Sequence, residues 1–312
     1  MIIETPSRIH MTLIDLNASI GRMDGGLGLA LESPNIKITA YKSNKIEVEG
    51  PIADKAEAAV AKVLKRLNID GGIKIQIENA YPQHIGLGSG TQVALGVGKA
   101  VCELYDKKLS IREIAETVGR GGTSGIGTAA FEMGGFILDG GHSTREKKDF
   151  LPSSASTARP APILARYDFP DWKVVLVVPR IRKEVHGKKE VNIFQRFCPI
   201  DLNEVQELCH LIMMKMLPSI LEEDIQSFGE SINEIQNTGF KKIEVELQSA
   251  EVKGLLHLCQ KNSYGAGLSS FGPTIYSIVE DEDELINSLD KQNIEQVIFT
   301  KANNKGAIIK GD

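Results

Sequence analysis

Glycines set among hydroxyls are the residues of this chain whose types and spacing could do chemistry, and the chemistry they suit is the handling of phosphate. The leading case is Gly86-Leu87-Gly88-Ser89-Gly90-Thr91-Gln92. It follows an alternating segment, Ile73-Lys74-Ile75-Gln76-Ile77, and leads into the apolar run Val93–Val101. A strand handing over to a helix leaves free backbone N–H groups and the positive end of the helix dipole at the junction, where an anion is the natural ligand. Glycine lets the backbone approach that anion, and Ser89 and Thr91 add donors. The plain alternative is a tight turn with a hydroxyl N-cap. The loop is not a Walker A loop, because no Gly-Lys-Ser/Thr ends it. It also lacks the third glycine and the downstream acid of a dinucleotide fingerprint.

Two more glycine runs and one basic cluster share the theme. Gly119-Arg120-Gly121-Gly122-Thr123-Ser124-Gly125-Ile126-Gly127 has Thr123 or Ser124 placed to cap a short helix reaching Met133. Gly265–Thr274, with Ser269 and Ser270 inside it, precedes a strand over 275–279. Arg180, Arg182, Lys183, His186, Lys188 and Lys189 crowd the end of a buried strand over 172–179, and most of such a cluster suits a solvated loop. His10, His84 and His142 share no metal-ligand spacing and read as structural.

The elements that must position these loops are legible in outline. Residues 1–50 alternate as strands and turns, with breaks near 18–22 and between 31 and 36. Ala53 to Leu67 is a helix whose stripe is Ala56, Val60, Val63, Leu64 and Leu67. Ser110 with Glu113 makes a capping box for the helix that follows. Phe136–Asp139 reads as a strand, and 143–171, rich in charge, serine and proline, as an irregular connector. The pattern then predicts helices over 202–217, ended by Pro218, over 220–237 and over 245–262. A last helix (283–290) and strand (296–300) complete the pattern.

The chain has 312 residues and a net charge of −5, enough for one large or two medium cores and no reason to expect nucleic acid. Its four cysteines form no CxxC pair, as expected of buried thiols in a reducing cytoplasm. Neither a signal peptide nor a membrane-spanning apolar run is evident.

Three stretches in order resemble the signatures of the GHMP kinase superfamily: Thr5-Pro6-Ser7-Arg8 with Asp24-Gly25-Gly26, the Pro82–Gln92 loop, and Gly265–Thr274. The loop is similar to that family's Pro-x-x-x-Gly-Leu-Gly-Ser-Ser phosphate loop, with Gly90 in place of the second serine. The resemblance implies a two-domain α+β fold, a ribosomal S5 domain 2-like half over 1–170 and a ferredoxin-like half over 171–312, with the site between them. One departure bears on chemistry. Where many of the kinases have Ser-Gly-x-Asp, this chain has Ser124-Gly125-Ile126-Gly127, so the carboxylate that helps activate a substrate hydroxyl is absent. Asp15, Asp24 or Asp139 would have to replace it.

Finer details resemble a branch of the superfamily that is not made of kinases and works in methanopterin biosynthesis. Ser7–Leu16, Gly21–Gly28, Gly119–Gly127, Arg182-Lys183, Gly187–Glu190, Phe194 and Cys198-Pro199 carry that likeness. It implies joining phosphoribosyl pyrophosphate to 4-aminobenzoate or 4-hydroxybenzoate, with loss of pyrophosphate and carbon dioxide, to give a C-riboside 5'-phosphate. It implies Mg²⁺ on the leaving group, and a homodimer, common among relatives. On this reading Arg8, Asp15 and Asp24 are the catalytic candidates. Ser7, Arg22, Gly86, Leu87, Gly88, Ser89, Gly90, Thr91, Gln92, Arg120, Gly122, Thr123, Ser124, Lys188, Lys189, Ser269 and Ser270 are the substrate and phosphate contacts, with no metal ligand assigned. Asp15 equally suits an inward or capping role, and Asp24 a plain turn. An ATP-dependent kinase for a small alcohol and a non-catalytic ligand binder are the competing readings.

Overall fold

The computed structural model describes residues 1–153, 155–180, 187–290 and 292–311. The N-terminal half begins with two long strands, β1 (Ile2–Asp15) and β2 (Arg22–Ser43), paired antiparallel from Ile2↔Thr39 to Asp15↔Asp24. β3 (Ile46–Glu49), α1 (Ala53–Arg66), β4 (Gly72–Asn79), α2 (Ser89–Leu104), α3 (Ile111–Val118) and α4 (Ile126–Glu132) follow. Next come β5 (Phe136–Asp139), β6 (His142–Ser143) and β7 (Ile163–Tyr167). β4 pairs β2 antiparallel, and β3 lies parallel at its far edge. β5 bridges β2 and β7.

Helix placement on this sheet follows the apolar patterns. Ala56, Val60, Val63 and Leu64 of α1 are buried, as their spacing requires, and pack with Val93, Val97 and Val101 of α2 over Ile38 and Ile75. A Cβ at Gly96 would come within 2.7 Å of Ile38 Cδ1, so glycine there lets α2 settle close on the sheet. The Ser110–Glu113 capping box forms as expected.

A second antiparallel sheet has the order β11 (Ile294–Thr300), β8 (Lys173–Pro179), β10 (Ile275–Val279), β9 (Gly265–Leu268). Between β8 and β9 run α5 (Lys188–Phe197), α6 (Leu202–Leu211), α7 (Leu217–Leu221), α8 (Ile225–Ile235), α9 (Gly239–Glu246) and α10 (Ala250–Lys261). α11 (Asp283–Leu289) lies between β10 and β11. The final strand, β12 (Ile308–Lys310), leaves this sheet and pairs the edge of β1, so the two ends of the chain meet in the first sheet.

Several sequence expectations are corrected here. The first strands are not split near Pro34; β2 runs through it. Pro218 does not end a helix: a π-helical turn over 212–216 follows α6, and Pro218 opens α7, where its missing N–H costs nothing. Asp224 and Ser249 cap new helices inside the 220–237 and 245–262 stretches. The 143–171 connector contains β7. Gly125, not Thr123 or Ser124, is the N-cap of α4, although Ser124 Oγ, while donating to Asp139, also accepts from Ile126 N at 3.3 Å.

Candidate active site

The three glycine runs converge on one cleft of about 660 Å³, within the usual range for small-molecule sites. Along β1, Arg8 and His10 share a face by the two-residue period of a strand and both line the cleft, while Ile9 and Met11 face the core. Arg8 Nη1 donates to Gly86 O at 2.5 Å, and Arg8 N to Leu87 O at 3.1 Å, tying the phosphate loop to the sheet. Gly88 sits at φ +83, and a Cβ there would press within 3.2 Å of the Arg8 guanidinium. Burial lowers the Arg8 pKa from its ordinary value. Burial, then the charges of Arg8 and Lys241, push His10 well below the usual imidazole range, so it is neutral. Its Nδ1 is buried without a partner.

The third glycine run locks onto the first. Ser269 Oγ donates to Gly86 O at 2.8 Å and accepts from His10 N at 3.1 Å. Ser270 N donates to His10 O at 2.9 Å, and Thr274 N to Ile85 O at 3.3 Å. Beneath them Lys241, fully buried, donates to Leu268 O at 3.0 Å and ion-pairs with Glu244, whose pKa burial raises. Lys241 and Glu244 face each other because they are three residues apart on α9.

α2 starts in the cleft at Ser89, with no side chain capping Gly88. Ser89, Gly90 and Thr91 line the wall with Arg120 and Lys55. Gln92 Nε2 donates to Gly127 O at 2.8 Å, joining the first glycine run to the second. Gly122 is packed under Ser156, and Thr123 and Ser124 line the cleft, with Thr123 Oγ donating to Leu151 O at 2.5 Å.

Other expected residues sit elsewhere. Asp24, its side chain fully buried at φ +67, accepts from Lys147 Nζ at 3.0 and 2.9 Å and contacts His142 Nδ1 at 2.6 Å. Lys147 also donates to Thr123 Oγ1 at 3.1 Å and Leu151 O at 3.0 Å. Asp15 Oδ1 accepts from the N–H groups of Asn17 and Ala18 at 2.8 and 3.0 Å, closing the turn after β1. Arg22 donates to Gly140 O and Gly141 O. Ser7 is fully buried beside the phosphate loop, and its Oγ finds no partner. Lys188 and Lys189 are exposed in the first turn of α5, while their neighbours Gly187 and Glu190 line the cleft. Arg182, Lys183 and His186 lie outside the described residues. Asp139 is buried behind Ser124; burial pushes its carboxyl up to about 6 against hydrogen bonds from Gly141 N, Ser124 Oγ and Gly125 N.

Comparison with known proteins places this geometry. The descriptions "GHMP kinases N terminal domain" and "GHMP kinases C terminal" match residues 54–135 and 216–294. Beta-ribofuranosylphenol 5'-phosphate synthase of Archaeoglobus fulgidus is 50% identical, over 99% of both chains. The protein of that name from Methanocaldococcus jannaschii is 49% identical over 98% of this chain and 99% of its own. The chain belongs to the beta-ribofuranosylphenol 5'-phosphate synthase family of the GHMP kinase superfamily. Its fold is the GHMP α+β fold: the Methanococcus jannaschii mevalonate kinase structure aligns at TM-score 0.72 with 18% identity, over 97% of this chain and 98% of that one.

For a synthase of this family the missing kinase aspartate has a structural counterpart. A Cβ at Gly127 would stand 3.1 Å from Thr91 Cγ2, so the position is filled by the phosphate-loop helix. Glu190 and Glu244 are the only acidic residues among the described lining residues. No three His, Cys, Asp or Glu side chains of the described residues gather into a metal cage. Mg²⁺ takes most of its ligands from water and substrate phosphates, so a lining this poor in carboxylates would suit an ion carried in on a diphosphate. Among the described residues no helix is long and apolar enough to cross a membrane.

Sequence reasoning missed Lys55, His10, Lys147 and the Lys241–Glu244 pair. One signal was readable: Lys55 stands in the first turn of α1, where the helix dipole disfavours a cation.

Proposed function

We propose that this enzyme condenses phosphoribosyl pyrophosphate with 4-hydroxybenzoate, releasing pyrophosphate and carbon dioxide and leaving a ribofuranosylphenol 5'-phosphate for methanopterin biosynthesis. The phenol in the relatives' name favours the hydroxy acid over 4-aminobenzoate as acceptor. The observation that carries the reading is the make-up of the cleft wall. It has Arg8, Lys55 and Arg120 and an uncapped helix start, yet no aspartate among its described residues. A kinase needs a carboxylate to position or deprotonate a hydroxyl, and of the two glutamates in the lining Glu244 is committed to its buried ion pair with Lys241, which leaves Glu190. A ring carbon activated by a para hydroxyl needs none.

The step balances without an added oxidant or reductant. The ring carbon bearing the carboxylate attacks ribose C1, and the C1–O bond to pyrophosphate breaks. The carbon–carboxylate bond then breaks, its electron pair restoring the aromatic ring as carbon dioxide leaves. The glycine-loop N–H groups and nearby cations hold the phosphates in place. Arg8 stands against Gly88 at the start of α2, and Ser270 lines the same cleft. Glu190 and Glu244 are the described cleft carboxylates able to face positive charge at C1. Bound Mg²⁺ would neutralise charge on the departing pyrophosphate.

The test is release of labelled carbon dioxide from carboxyl-labelled 4-hydroxybenzoate, with phosphoribosyl pyrophosphate and Mg²⁺ supplied. Release that needs both substrates supports the reading. No release with either aryl acid, together with ATP consumption on a small alcohol, would replace it with the kinase reading.

A further inference from the structure

Two cations stand together over the start of α2 without an acid between them. A Cβ built on Gly90 would lie 3.5 Å from Arg120 Nη2 and 3.7 Å from Lys55 Nζ, which puts both heads above the first turn of the helix. Among the described residues no carboxylate ion-pairs with either. Each is an expensive placement. Lys55 sits at the positive end of α1, and both burial and the Arg120 charge lower its pKa. Burial also lowers Arg120, and its Nε is buried with no partner. Thr128, 5% exposed, lines the same cleft with an unpartnered Oγ1. Such a set favours a ligand that brings more than one negative charge.

We propose that Lys55 and Arg120 clamp the diphosphate of the donor, so the pyrophosphate leaves at the α2 end of the cleft and the ribose 5'-phosphate lies away from it. This rests on the transferase reading above, but the clamp can be measured without turnover. A single phosphate at an uncapped helix start needs no such pair of cations, because first-turn N–H groups suffice. Two phosphates need a second set of donors beyond the reach of those N–H groups. Lys55 from α1 and Arg120 from the loop after α3 supply it over Gly90.

The test is calorimetric binding of inorganic pyrophosphate and, separately, ribose 5-phosphate, which are the two halves of the donor, to the full-length protein. Lys55→Gln should weaken pyrophosphate roughly tenfold to a hundredfold, as loss of one charged contact does, and leave ribose 5-phosphate within about twofold. Lys55→Arg should keep most of the pyrophosphate affinity. Arg120→Gln should behave as Lys55→Gln does. Thermal melts of each variant separate a fold defect from a lost contact, because Lys55 is half-buried on a helix surface. Unchanged pyrophosphate affinity in a folded Lys55→Gln protein would overturn the clamp, as would equal weakening of both probes. Lys55-dependent pyrophosphate binding in a protein that releases no carbon dioxide would leave the clamp standing and sink the transferase reading alone.

Discussion

Replacing Lys147 by methionine removes a charge from a fully enclosed ionic network. Methionine keeps most of the length of the side chain and drops its cation. Lys147 Nζ holds both carboxylate oxygens of Asp24, at 3.0 and 2.9 Å, and the side chains are 4% and 0% exposed. Taking one partner from a buried pair strands the other charge, at a cost of about 3–5 kcal/mol. His142 remains on Asp24 but cannot replace the three other contacts Lys147 makes with Asp24 and Thr123. Lys147→Met should therefore lose about 3–5 kcal/mol by denaturant unfolding at pH 7.5. Asp24→Asn in the same background removes the stranded charge. The double variant should then be more stable than the sum of the two single losses predicts, by about 2 kcal/mol. A loss under about 1 kcal/mol for Lys147→Met, or strict additivity of the pair, would refute the claim that Asp24 is held as a buried charge.

Two further predictions follow from the same geometry. Gly86→Ala puts a Cβ 2.3 Å from Ser269 O at φ +92, so it should pry the first glycine run from the third; turnover should fall at least tenfold and the melting temperature should drop, and normal kinetics would refute the close approach. Burial raises the Asp139 carboxyl from 3.8 to about 6, so the folded state holds its proton more tightly than the unfolded one. The stability this group contributes is fully present below its unfolded pKa and is lost as pH rises through about 6. Between pH 4 and 7 the stability of wild type relative to Asp139→Asn should fall by roughly 2 kcal/mol, because the unfolded carboxyl is already about half ionised at pH 4. A constant gap across parallel melts would show that the carboxyl titrates normally.

Local chemistry made the anion loop readable from the chain alone. Gly86–Thr91 lies between an alternating segment and an apolar run, and that order fixes a strand, a turn and a helix start whatever surrounds them. The same holds for the α1 stripe and the Ser110–Glu113 box, which depend on residues a turn apart. The order of three glycine signatures then specified the superfamily. What distance along the sequence hides, only folding decided. Asp24 looked like a catalytic acid or a turn residue, but its partner is Lys147, 123 residues away in a stretch read as irregular. Lys55 belongs to no motif, and only the packing of α1 beside α2 set its head over Gly90. Burial, long-range pairing and the electrostatics that follow from them are properties of tertiary contacts, and no local pattern in the chain encodes them.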